Sequence, residues 1–140
     1  MEAIVSKFYD YLRQGKIMGL KCKRCGSCNF PPRAICLNCG SPEQDWFEIS
    51  GRGKLLFASA TNRGRGAWPV KYTLGTVKLE EGPLVIGMVL IEDFDFSKLE
   101  EIWKYNGANI EVVAQIVKNP KGIEAVAFRP INVHRSRQHN

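Results

Sequence analysis

Apolar positions change their period along this 140-residue chain. Near the start, Ile4, Val5, Phe8, Tyr9 and Leu12 fall at i, i+1, i+4, i+5 and i+8, one stripe of a helix over residues 2–13. Gly15 ends it. The stripe must pack on something, either the chain's own core or a partner. Met18, Leu20 and Cys22 then alternate, which predicts a short strand. Residues 41–50 lead away from it, with Trp46 and Phe47 as capping aromatics. Beyond residue 53 a period of two dominates and predicts strands at 54–62, 72–79, 84–91, 110–118 and 123–128. Glu80-Glu81-Gly82-Pro83 and Asn119-Pro120-Lys121-Gly122 read as turns. Between the third and fourth of these strands, Ser97 and Glu100 form a capping box for a short helix. Its expected buried face is Leu99, Ile102 and Trp103, and Asn106-Gly107 stops it.

The strand at Cys22 runs into the most specific motif. Cys22-Lys23-Arg24-Cys25-Gly26 and Cys36-Leu37-Asn38-Cys39-Gly40 are two C-x2-C halves, each followed by glycine, with ten residues between Cys25 and Cys36. Such pairs deliver four thiolates to one tetrahedral Zn²⁺, and the glycine after each permits a positive φ. The predicted ligands are therefore Cys22, Cys25, Cys36 and Cys39, holding one structural zinc per chain in a ribbon. The loop between the halves is short and stiffened by Pro31-Pro32. Cys28 lacks a following glycine and is read as a spare thiol, although its spacing from Cys25 leaves an iron–sulfur cluster as an alternative. Disulfides are the other alternative. The chain is not cysteine-dense and its start does not read as a secretory signal, which argues against oxidation.

Together these elements predict a mainly β protein: an N-terminal helix, a rubredoxin-like zinc ribbon, and a five-stranded OB-fold barrel. The helix and ribbon occupy 1–50 and the barrel 51–133, with Gly51-Arg52-Gly53 read as a flexible joint. Pro130 ends regular structure, and 134–140 is a basic tail expected to be disordered. Hydrophobic content of 44% suits a globular core, and no apolar run reaches the roughly 20 residues of a membrane span. A soluble cytoplasmic protein is expected, with no membrane partner.

Net charge is +6, but its placement matters more. Residues 1–54 hold nine Lys/Arg against five Asp/Glu, residues 55–128 eight against nine, and residues 129–140 three against none. A nucleic-acid binder concentrates cations along its binding face, and a near-neutral barrel argues against that function. One barrel stretch invites a ligand. Residues 62–72 set Arg63, Arg65 and Lys71 beside Trp68 and Tyr72 on a glycine-rich loop. Arginine suits phosphate and aromatic faces suit a base, whereas the structural alternative is that Trp68 and Tyr72 plug the barrel end. Asp93, Asp95, Glu100 and Glu101 read as a solvated acidic patch. No Ser/His/Asp set, H-E-x-x-H or phosphate loop is present, and the two histidines lie in the tail, so no catalytic residue is predicted.

The run G-K-I-x-G-L-K-C-K-R-C-G, then F-P-P-R-A-I-C-L-N-C-G-S, then S-G-R-G-K-L, with Phe128-Arg129-Pro130 near the end, resembles the zinc-ribbon/OB-fold acyl-CoA-associated proteins over nearly the whole chain. The resemblance implies a non-catalytic scaffold subunit. In archaeal members it bridges acetoacetyl-CoA thiolase and hydroxymethylglutaryl-CoA synthase in the mevalonate route and helps house a shared CoA site. It thus implies thiolase-fold partners and CoA or acyl-CoA as ligand, with Arg63, Arg65, Trp68, Lys71 and Tyr72 as the contact candidates. A single-strand nucleic-acid binder is the competing reading, since ribbon and OB-fold also occur together there.

Overall fold

The computed structural model describes residues 2–62, 71–119 and 121–131, residues 2 and 3 by backbone alone. Helix α1 spans Glu2–Arg13. Gly15, at φ 84°, ends it by turning the chain back, and the amides of Gly15 and Lys16 bond the carbonyls of Leu12 and Tyr11 at 3.0 and 2.9 Å. Strand β1 (Met18–Cys22) follows and pairs antiparallel with β2 (Cys28–Asn29) on one side and β3 (Gln44–Glu48) on the other. Neither β2 nor β3 was expected from periodicity. β2 is two residues long, and β3 uses both faces, with Trp46 against Tyr11 of α1 and Phe47 against the core. Of the two predicted caps, Trp46 therefore serves the helix.

Five strands close the barrel: β4 (Arg52–Thr61), β5 (Tyr72–Leu79), β6 (Leu84–Val89), β7 (Ile110–Lys118) and β8 (Glu124–Pro130). Their order is β4-β5-β6-β8-β7, and β7 pairs back onto β4. All pairings are antiparallel except β6 with β8. This is the OB-type barrel that the strand pattern predicted, with strand ends shifted by a residue or two. A register shift between Leu55 and Phe57 bulges β4 and lets so long a strand coil around the barrel. At Gly75 of β5, beside the buried Leu55 and Val89, there is no room for a side chain. A Cβ on Gly75 would stand 2.5 Å from Leu55 Cδ1 and 2.6 Å from Val89 Cγ2.

Three local expectations are corrected. Arg52 and Gly53 are strand residues, not a flexible joint, and a Cβ on Gly53 would stand 2.6 Å from the Lys78 carbonyl oxygen. The short helix is a 3₁₀ helix over Leu99–Tyr105, without a side-chain cap, because Ser97 donates its hydroxyl to Asp95 instead. Its buried residues are Ile102 and Tyr105, while Trp103 is 70% exposed. The 3₁₀ period of three stacks residues 99, 102 and 105 on one side, where an α-helix would have turned 103 inward.

One core serves both ribbon and barrel. Phe30 and Ile49 of the ribbon side cluster with Leu55, Val77, Val89, Val112, Tyr105 and Phe128, and Phe8, Ile17 and Phe47 pack against them. Helix α1 lies against β1 and β8 and sets Phe8 edge-on to Phe30 with ring centroids 6.0 Å apart. Leu12 is buried and Phe8 packs on the core, so that part of the helical stripe covers the chain's own core, while Val5 is 53% exposed. Among the described residues no helix is long and apolar enough to cross a membrane.

Candidate metal centre

The four predicted ligands meet at one point. The sulfurs of Cys22, Cys25, Cys36 and Cys39 all lie within 4.8 Å of one another. Two turns of the same construction bring them there. In the first, Cys22 N–H bonds Ser27 O at 2.9 Å and Gly26 N–H bonds Cys22 O at 3.0 Å. In the second, Cys36 N–H bonds Ser41 O and Gly40 N–H bonds Cys36 O, both at 2.9 Å. Gly26 and Gly40 both adopt φ 80°, the left-handed conformation the C-x2-C-G reading required. Cys22 and Cys36 are buried, while Cys25 and Cys39 face outward.

The set fits zinc. A tetrahedron with Zn–S near 2.3 Å has sulfur–sulfur edges of about 3.8 Å. Cys22 and Cys39 stand 3.5 Å apart, and Cys25 and Cys36 3.6 Å apart. Donors already turn toward the sulfurs: the amides of Arg24 and Cys25 point at Cys22 Sγ from 3.3 and 3.5 Å, and Asn38 Nδ2 at Cys25 Sγ from 3.5 Å. Asn38 is the main reason the Cys25 thiol is lowered to about 5. The Asn29 side chain likewise lowers Cys36. Cys39 is drawn down by the Ser41 backbone, but burial and the neighbouring sulfurs outweigh this and raise it to about 11. Sulfurs so close resist carrying charge together unless a cation sits among them. A zinc held by all four has no open position, so the chemistry it supplies is structural.

Asn29 and Gln44, which sequence reasoning passed over, brace this centre from behind. Asn29 is only 4% exposed. Its Nδ2 donates to Gln44 Oε1 at 2.8 Å, and its Oδ1 accepts from the Leu37 amide at 3.1 Å, inside the second C-x2-C turn. Gln44 in turn donates to Arg33 O at 2.8 Å. A polar residue between Cys28 and Phe30 carried only a faint signal, a lone Asn in an otherwise apolar approach.

Cys28 stands apart, in register with Lys21 on β2 rather than with the four sulfurs. Burial, with help from the Glu81 carboxylate, pushes its thiol up to about 11. Glu81 reaches there from the β5–β6 turn and accepts the Ser50 amide at 2.7 Å. Of the predicted ligand contacts, Arg63, Arg65 and Trp68 lie outside the described residues. Lys71 is exposed at the mouth of β5, and Tyr72, half-buried, pairs with Thr61. Asp95 lies close enough to feel Lys71: its carboxyl is held low by the Ser97 hydroxyl and amide, then by Lys98 and Lys71. Part of the acidic patch thus lies near Lys71.

Comparison with known proteins places this arrangement. The family described as "ChsH2, rubredoxin-like zinc ribbon domain" matches residues 10–44, which contain all four clustered cysteines. A solved structure described as "Ltp2-ChsH2(DUF35) aldolase" superposes with a TM-score of 0.66 at 21% identity, covering 89% of this chain and 92% of that one. A DUF35-family protein of unknown function from Sulfolobus solfataricus superposes at 0.57 with 14% identity, over 91% and 85%. Both share the fold. A 65-residue stretch is 32% identical to the benzoylsuccinyl-CoA thiolase subunit BbsA of Thauera aromatica, 46% of this chain and 45% of that one. A DUF35 domain-containing scaffold protein of Pyrococcus furiosus is 32% identical over 81% of this chain and 80% of its own length. With that identity over four fifths of both chains, the chain belongs to the zinc-ribbon DUF35 family.

Proposed function

We propose that this chain is a non-catalytic accessory subunit that associates with thiolase-type acyl-CoA enzymes and helps hold CoA or acyl-CoA. The observation that carries the reading is the set of relatives: two are named scaffold proteins and one a thiolase subunit. The chemistry supports it. The four clustered cysteines are the ligands of one zinc per chain and are therefore spent on structure. Cys28 is held neutral, and both histidines, His134 and His139, sit in the C-terminal segment. A nucleophile needs a base within hydrogen-bond reach; Glu81 and Lys21 act on Cys28 through their charges alone, and Glu81 raises the thiol rather than activating it. In the finer form of the reading the partners are acetoacetyl-CoA thiolase and hydroxymethylglutaryl-CoA synthase in the cytoplasm. Arg63, Arg65, Trp68, Lys71 and Tyr72 would then meet CoA at the loop end of the barrel.

The test is a tagged chain recovered from its native extract, with co-purifying proteins identified by mass spectrometry, and CoA titrated at two salt concentrations with and without the recovered enzyme. A thiolase-fold partner that strengthens CoA binding is expected. Tight, steeply salt-dependent oligonucleotide binding by the chain alone, with no thiolase recovered, would replace this reading with nucleic-acid binding.

A further inference from the structure

The far end of the barrel holds a second feature that the accessory-subunit reading does not use. Strand β4 runs from Arg52 to Thr61, on the order of 30 Å at about 3.3 Å per residue. The 62–72 loop leaves from the Thr61 end. At the Arg52 end a cleft of about 830 Å³ opens on the outer face of β4, β5, β7 and β8. Register builds it. Arg52 stands across from Val113, and Val113 across from Arg129. One step along, Lys54 stands between Lys78 and Glu111, and Glu80 bonds the Arg52 carbonyl through its amide. Four cations and two carboxylates from distant parts of the sequence therefore share one concave face.

Among the described residues the ion pairs within 4 Å are Arg13–Asp10 and Lys23–Asp45, and none involves this cleft. Four cations against two carboxylates leave the concavity a balance of +2, a positive field that an anion relieves. Two are arginines, whose planar fork matches phosphate oxygens. The cleft also has an apolar lining, with Leu56, Val113 and Ile131, and its size is that of a small-molecule site, roughly 300–1,000 Å³. A simple anion needs neither an apolar wall nor carboxylates. A nucleotide uses all three: phosphates for the cations, base for the wall, sugar hydroxyls or base amine for Glu80 and Glu111. We propose that this cleft binds a phosphorylated nucleotide, either free or as the nucleotide end of a larger carrier molecule. This goes beyond the accessory-subunit reading and does not depend on it.

The test uses the zinc-loaded full chain and measures equilibrium binding of ADP, adenosine, pyrophosphate and CoA. ADP is expected to bind at least about tenfold more tightly than adenosine or pyrophosphate, since each of those engages half the cleft. Arg129→Glu and Lys78→Glu should each weaken ADP by about tenfold or more, because reversal turns an attraction into a repulsion. Both side chains are exposed, and thermal melting reports whether each variant folds; Lys54→Glu on the same face serves as the replacement. Lys118→Glu, outside the cleft, should leave ADP binding unchanged. CoA that competes with ADP identifies a carrier's nucleotide end as the source, and CoA that fails to compete identifies a free nucleotide. The proposal is overturned by unchanged ADP affinity in folded Arg129→Glu and Lys78→Glu, or by pyrophosphate binding as tightly as ADP. A single-stranded oligonucleotide or an acidic peptide that displaces ADP at lower concentration than ADP itself binds would also overturn it. Loss of CoA binding in Arg63→Ala/Arg65→Ala alone would concern the loop, so the two readings fail separately.

Discussion

Asn29→Ala tests whether the residues behind the sulfurs matter as much as the sulfurs' own geometry. Asn29 joins three things: Gln44 through its Nδ2, the Leu37 amide through its Oδ1, and the Cys36 thiolate, on which it is the largest lowering influence. Two buried hydrogen bonds at roughly 0.5–1.5 kcal/mol each give about 2 kcal/mol, or about thirtyfold in an equilibrium constant. That agrees with the roughly 10- to 100-fold loss of metal affinity on removing an outer-shell partner. The assay is competition for zinc against a colorimetric chelator at pH 7.5, with far-UV circular dichroism to check the barrel. Asn29→Asp separates the contributions. It keeps an acceptor for Leu37 but loses the donor and adds a negative charge beside four thiolates, so it should bind zinc more weakly than the alanine variant. An alanine variant within twofold of the parent, or an aspartate variant that outperforms it, would refute the reasoning.

Cys36→Ser should lose zinc, because a buried ligand contributes to a site worth on the order of 10 kcal/mol, whereas Cys28→Ser should keep one zinc per chain by elemental analysis. Gly75→Ala should cost about 1–3 kcal/mol by forcing Leu55 and Val89 apart, read as a lower urea midpoint with zinc still bound. Cys28 should alkylate about 100-fold more slowly at pH 8 than an ordinary thiol, since raising its pKa from 9.0 to about 11 removes that share of thiolate, and the rate should climb with pH until about 11. The sign follows for stability: a thiol raised on folding favours the fold below its unfolded value and loses that contribution as pH rises through 11. Glu81→Gln should speed the alkylation by less than about tenfold, because burial is the larger cause; full recovery of ordinary reactivity would show that the Glu81 charge governs instead.

The zinc centre was legible because its determinants are local. Cysteine identity, a two-residue spacing and a glycine that must adopt φ 80° all lie within five residues of one another. The barrel strands were legible where one face is buried and the other wet, as in β5, whose burial alternates residue by residue. β3 was not, because Trp46 and Phe47 are both occupied, on opposite faces, and the alternation vanishes. The 3₁₀ helix misled for a related reason: residue spacing alone does not say whether a turn holds 3.0 or 3.6 residues, and that decides between Trp103 and Tyr105. Least legible was the basic cleft. Arg52 and Arg129 meet only through β7, across a register that no local pattern reveals.

Charge counted along the sequence made the barrel look neutral, and this has a physical consequence. The balance of eight cations against nine carboxylates between 55 and 128 averages over a closed surface whose faces differ. Arg52, Lys54 and Arg129 lie outside those bounds, yet the fold carries all three onto the barrel wall beside Lys78. Meanwhile Asp95 and its neighbours lie at the other end, near Lys71. At physiological salt the screening length is about 8 Å, far shorter than β4, so the two ends act as separate electrostatic surfaces. The ribbon is fastened to the barrel by the core that Phe30 and Ile49 share with it. Zinc thereby does more than close a loop. Bound by the four sulfurs, it would hold the second C-x2-C turn against Asn29, the residue before Phe30, so its removal should loosen that core as well as the ribbon.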